Sequence, residues 1–110
     1  MAEYAHQQVT IGGAAITPVT PTTSDTVKPD DRVMLLYENS NAAVRNIAIV
    51  TPTSLNQFGQ DLPNVTRQIA ATTGRALMGP LVPALADPTT GFITVTIDAT
   101  AGVTVAAVRI

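Results

Sequence analysis

The sequence predicts an all-β fold, a single-domain antiparallel β-sandwich of about seven or eight strands, jelly-roll or Ig-like, with an extended N-terminal arm. Two observations carry that expectation. The end of the chain alternates, with Phe92-Ile93-Thr94-Val95-Thr96-Ile97 and Val103 to Ile110 flanking a break at Asp98 to Gly102. Side chains on a strand point to opposite faces with a period of two, so Ile93, Val95 and Ile97 share one face and belong in a core. The second observation is spacing: apolar runs recur at about 8–12 residues, separated by Gly, Pro, Asn and Asp clusters, as in sandwiches.

Taken in order, residues 1–10 read as an arm leading into the first strand, since alternation begins only at Gln8-Val9-Thr10-Ile11, and Gly12-Gly13 supplies a turn. The arm is expected to be free in the isolated protein and to order on contact, by adding a strand to a neighbour. Ala14 to Asp25 contains Pro18 and Pro21, which donate no ladder hydrogen bond, so this stretch is an edge strand or an extended segment. Lys28-Pro29-Asp30-Asp31 is a turn. Arg32 to Glu38 is the most continuous apolar run, suited to burial on both faces or to a mid-sheet place. Asn39-Ser40-Asn41 turns the chain into Val44 to Val50, and these two runs are expected to form the central hairpin.

Ser54 to Pro63 reads as a loop whose Leu55, Phe58 and Leu62 cover an open end of the core. Val65 to Ala71 and Arg75 to Gly79 read as a hairpin with Gly74 supplying the turn. A helix over Val65 to Leu77 is disfavoured by Thr72-Thr73-Gly74 at its middle, which costs about 1 kcal/mol or more in propensity. Gly79 to Ala86, broken by Pro80 and Pro83, suits a short 3₁₀ plug, and Asp87 to Gly91 turns into the terminal hairpin.

Composition narrows function. Six Lys plus Arg against eight Asp plus Glu give a net charge of -2, which offers no footprint for nucleic acid or an anionic membrane. Charged residues are 13% of the chain, against about 25% in ordinary soluble domains, a balance that fits a hydroxyl-coated surface or, the commoner case, one partly covered by another protein. Without cysteine there is no disulfide framework and no thiolate metal site. The N-terminus lacks a signal-peptide pattern, and no run approaches the ~20 apolar residues of a membrane span.

Catalytic apparatus is sparse. His6 is the only histidine, which excludes a histidine-based triad and a two-histidine metal site by count. Asp25, Asp30 and Asp31 match no calcium loop, and Asp87 and Asp98 occupy turn positions that Asp favours anyway. With no Trp, two Tyr and two Phe there is little to stack a sugar on. Gly12-Gly13 lacks the rest of a phosphate loop, and the sequon at Asn64-Val65-Thr66 lacks an export signal. No enzyme, cofactor or metal is expected. Arg32, Arg45, Arg67, Arg75 and Arg109 lie in or beside predicted strands, as solvated positions that discourage edge pairing or as docking groups for an acidic partner.

The order of parts resembles the small β-sandwich decoration, or cement, proteins of tailed-bacteriophage capsids. The resemblance rests on the lead Ile16-Thr17-Pro18-Val19, the turn Lys28 to Arg32 before a buried run, the strand Ile47 to Pro52, the element Met78-Gly79-Pro80-Leu81-Val82-Pro83, the strand Gly91 to Ile97 and the ending Gly102 to Ile110. Thr72-Thr73-Gly74 stands where family members often carry Pro-Ala-Gly. The resemblance implies a non-enzymatic virion protein, made in the host bacterial cytoplasm, that binds the outer capsid surface and bridges subunits of the major capsid protein. It also implies a monomer or a small symmetric homo-oligomer such as a trimer. The expected contact residues are Tyr4, His6, Val9 and Ile11 of the arm, with Arg45 and Arg67. A head–tail joining or tail-tube component is the alternative.

Overall fold

The structure is a computed structural model and describes residues 2–13, 15–52, 58–60 and 62–110. Among the described residues nine strands form two sheets: β1 (Glu3–Tyr4), β2 (His6–Gln8), β3 (Ser24–Val27), β4 (Val33–Asn39), β5 (Arg45–Ile49), β6 (Val65–Ile69), β7 (Gly74–Met78), β8 (Ile93–Ile97) and β9 (Val103–Arg109). The first sheet has the order β1-β3-β8-β5-β6 and the second β2-β9-β4-β7. All neighbours are antiparallel except β1 with β3 and β2 with β9. The sandwich is as expected, with a parallel pair added at one edge of each sheet.

None of the three expected hairpins forms. β4 and β5, β6 and β7, and β8 and β9 each divide between the two sheets, and the adjacent antiparallel pair is β5 with β6. The connections are arches that cross the core, so consecutive strands face each other through their apolar sides. Alternation specifies which face a strand buries, and it is the same face for a hairpin and for an arch. The arches meet at one end of the sandwich. Asn39, 2% exposed, donates from Nδ2 to the carbonyls of Ala43 (2.9 Å) and Ala70 (3.1 Å), while the Thr72 amide donates to Asn41 (2.7 Å) and that of Ser40 to Gly102 (2.9 Å).

The proline-bearing lead also joins the second sheet. Val19 and Val105 exchange both backbone hydrogen bonds, at 2.9 and 2.8 Å, in an antiparallel bridge. Counting that segment as the strand ahead of β3, the chain from there onward alternates between sheets at every step but β5 to β6. The resulting orders, Val19 segment-β9-β4-β7 and β3-β8-β5-β6, are those of a jelly roll rather than an Ig domain.

The core lies between the sheets and is built from Val27, Val33, Leu35, Tyr37, Ile47, Ile49, Ile69, Met78, Ile93, Val95, Ile97, Val103 and Val105. Each large aliphatic residue so enclosed contributes about 1.5–3 kcal/mol relative to exposure. Leu81 is fully buried, and the following 3₁₀ turn, Pro83–Leu85, packs Leu85 against the core, so the plug forms as expected. The cover expected from 54–63 is different: Phe58 is 95% exposed and Leu62 38%, and Leu55 lies outside the described residues. Phe58 sits in a turn with φ of 53° and points into solvent. Gly74 does not supply the β6–β7 turn. Thr72 takes the left-handed conformation (φ 70°), and Gly74 is needed because a Cβ there would fall 2.0 Å from the Ala70 carbonyl oxygen.

The N-terminal arm is part of the domain, contrary to the expectation of a free segment. Thr26 donates its amide to the Ala2 carbonyl (2.8 Å), and Val9 donates to Arg109 (2.8 Å). Gln7 exchanges two side-chain hydrogen bonds with the Thr17 backbone, at 2.9 and 2.7 Å. Tyr4 enters the core at 4% exposure. An aromatic ring of this size gains more from burial than a short polar arm gains from conformational freedom.

Candidate interaction surface

The outer faces of the two sheets differ in kind. On the first, the register aligns Ser24, Thr96, Ala48 and Thr66 in one row and pairs Thr26 with Thr94 and Asn46 with Gln68. Hydroxyls and amides fill it, as a solvated sandwich face requires. On the second, β4 is apolar on both sides: Val33, Leu35 and Tyr37 face inward, and Met34 and Leu36 face outward, half-buried. Leu36 pairs with Leu77 on one side and Ala106 on the other, and Met34 pairs with Val108. Leu77 is 61% exposed.

These residues form a contiguous aliphatic patch across β7, β4 and β9. Arg75 and Glu38 border it, their charged atoms 3.7 Å apart and well exposed, a pair that contributes little to stability. A continuous apolar strip edged by polar groups marks a protein contact more often than a free surface.

The residues expected to make contacts are distributed differently. Tyr4 is enclosed in the core and is corrected from a contact residue to a structural anchor. Its hydroxyl donates to Asp25 Oδ2 at 2.5 Å; burial, with the neighbouring Tyr37 and Asp25, pushes the phenol far above its ordinary range. His6 is half-buried, its Nε2 2.9 Å from the Lys28 carbonyl oxygen. Val9 is 39% exposed, and Ile11 stands clear of the body on the turn after β2. Arg45 reaches back through Nη2 to the Ala101 carbonyl (3.1 Å), and its Nε is buried without a partner. Arg67 is exposed on the edge strand β6, in the other sheet from the aliphatic patch. These residues do not converge on one site.

The carboxylates are likewise dispersed. Asp25 is fully buried; burial works against its charge, but donors from Thr22, Tyr4 and Ala2 outweigh it and hold the carboxyl below its ordinary value. Asp30 is held low by Arg109, whose Nε lies 2.9 Å away, and by the Arg32 amide. Asp98 accepts from both the amide and side chain of Asn46 (3.1 and 2.9 Å), which offsets its burial and lowers it. Each therefore anchors its own turn or strand. Among the described residues no three metal-ligating side chains gather. A concavity of 450 Å³ at the arch end, lined by Glu38, Asn39, Ser40 and 72–75, contains the Glu38–Arg75 pair and no histidine.

The aliphatic patch was only partly legible. Arg32 to Glu38 reads as apolar on both sides, but its pairing with Leu77 depends on a register the sequence does not print. Compared with known proteins, the chain matches no family model, no curated sequence and no solved structure.

Proposed function

We propose that the protein is a non-enzymatic capsid decoration protein of a tailed bacteriophage, docking on the outer surface of the shell and bridging subunits of the major capsid protein. The observation that carries the reading is the aliphatic outer face of the second sheet, with Met34, Leu36, Leu77 and Val108 on strands whose other faces fill the core. A low charge content and the resemblance in order of parts favour the same reading. In this account the patch is the face that meets the shell, and the hydroxyl-rich face of the first sheet stays in solvent. Repetition over the lattice lets modest contacts add up through avidity.

Two substitutions test the choice of face. Leu77→Asp, at an exposed position, is expected to change folding stability by no more than about 0.5 kcal/mol while weakening co-sedimentation with empty shells at least about tenfold, a cost of about 1.4 kcal/mol per contact. Thr96→Asp on the opposite face is expected to leave co-sedimentation intact. The reverse pattern would assign docking to the first sheet.

A further inference from the structure

The two sides of the sandwich are closed differently. β1 and β2, two and three residues long, line one side together with the Val19 segment. The other side ends on β6 and β7, each five residues long and each paired along one edge only. Edge strands present unpaired backbone groups, and proteins blunt them with charges, prolines or short length. β6 is blunted by Arg67 at an inward-facing position. β7 carries Ala76, Leu77 and Met78 in succession and no proline.

The free backbone groups of β7 follow from the register. Val105 exchanges its backbone hydrogen bonds with Val19, on the side of β9 away from β4. Its opposite residue Tyr37 therefore turns its own groups towards Ala76 of β7, and Leu35 and Asn39 do the same with Met78 and Gly74. Between these pairs, Arg75 and Leu77 direct N–H and C=O outward, and among the described residues no backbone group meets them. Beside that edge the sandwich gapes. Val65 and Arg67 lie opposite Ile49 and Ile47 and share their inward face, yet Val65 is 48% exposed and Arg67 is exposed too. With Ile49, Leu77 and Met78 they line a cavity of 210 Å³.

We propose that β7 receives an added strand from a partner protein, an extended segment of alternating apolar and acidic residues, as the fifth strand of the second sheet. Backbone hydrogen bonds to Arg75 and Leu77 supply affinity, and side chains at alternate positions supply selectivity. One set enters the gap, where Val65, Ile49 and Met78 take apolar groups and Arg67 takes a carboxylate. The other set lies on the outer face, apolar beside Leu77 and acidic beside Arg75, whose pairing with Glu38 is loose at 3.7 Å. Arginine binds carboxylates through two parallel hydrogen bonds. Charge also selects against a second copy: neither β6 nor β7 carries a carboxylate, so two copies meeting at these edges bring only arginines to the seam. The inference deepens the docking reading and rests on it for the partner's identity as the shell subunit, while the site rests on the edge geometry.

The probe is a capped peptide of alternating Val and Glu, about six residues long. Added to the ¹⁵N-labelled full chain, it is expected to slow amide exchange at Arg75 and Leu77 at least about tenfold, because exchange reports how open a backbone group is. The same peptide with Lys in place of Glu should bind at least about tenfold more weakly, a difference that shrinks as salt rises. Arg75→Pro removes one outward N–H and leaves the pairing with β4 intact, since proline is tolerated at such edge positions. It should abolish binding, while Arg75→Gln, which keeps the N–H, should weaken it and preserve the protection at Leu77. Should Arg75→Pro fail to fold, the parent, Arg75→Gln and the two peptides decide alone. Unchanged exchange at Arg75 and Leu77, equal binding of the two peptides, or the same protection in peptide-free protein through self-association would each overturn the proposal. Peptide capture at β7 by a protein that leaves empty shells bare would support the edge and contradict the shell reading. Shell binding by Arg75→Pro equal to the parent's would overturn the edge and leave that reading standing.

Discussion

Tyr4→Phe removes a single oxygen atom and isolates the bond that ties the arm to the core. The ring remains at a position 4% exposed, so apolar burial is unchanged. What disappears is a 2.5 Å hydrogen bond to a buried carboxylate, and bonds to charged partners contribute about 1.5–3 kcal/mol. Three donors to Asp25 survive, from Ala2 and twice from Thr22, so the fold should persist with its folding constant reduced about ten- to a hundredfold. Urea unfolding at neutral pH measures the total, and hydrogen exchange at the Thr26 amide, which donates to Ala2, reports release of the arm. The acid limb provides a second check. Asp25 is held below its ordinary value, so its stabilisation is present above the unfolded value of about 3.9 and lost as pH falls through the folded one. Without the tyrosine donor that shift shrinks, and the variant should lose less stability on acidification than the parent. A stability change below about 0.5 kcal/mol, with no faster exchange at Thr26, would refute the view that Asp25 holds the arm.

Other substitutions probe other parts of the account. Leu35→Ala, at a fully buried position, should cost about 2–5 kcal/mol in urea unfolding. Gly74→Ala places a Cβ 2.0 Å from a backbone oxygen that flexible side chains cannot relieve, so its cost should reach or exceed the upper end of the about 1–3 kcal/mol typical of overpacking. Arg109→Gln removes the guanidinium that joins Asp30 (2.9 Å) to Gln8 (2.5 Å). Hydrogen exchange at the Val9 amide should accelerate, and the difference from the parent should narrow as salt rises, because the ion pair is partly exposed and screened.

Strands and their inward faces are legible in the sequence because both follow from local alternation. Ile93, Val95 and Ile97 are buried as their period of two requires, as are Val33, Leu35 and Tyr37. Pairing was less accessible. Asp98 to Gly102 has turn chemistry that serves a hairpin or an arch equally, and the choice rests on contacts such as Asp98 with Asn46, distant in the chain. The docking of the arm is not legible, because a polar stretch with one tyrosine gives no local sign that the ring fills a space between sheets or that its hydroxyl meets Asp25. For the candidate surface, the apolar even positions of β4 were visible, while the placement of Leu77 and Val108 beside them required the register.

The central claim is that this sandwich coats a shell rather than joining a tail. Size-exclusion chromatography with light scattering, on the protein alone and mixed with empty capsid shells from the same source, addresses it most directly. The account predicts a monomer or small symmetric oligomer when free, and co-migration with shells at a copy number that saturates in proportion to the capsid lattice. A stable ring of fixed size that leaves the shells bare would contradict it and assign the protein to the head–tail or tail apparatus.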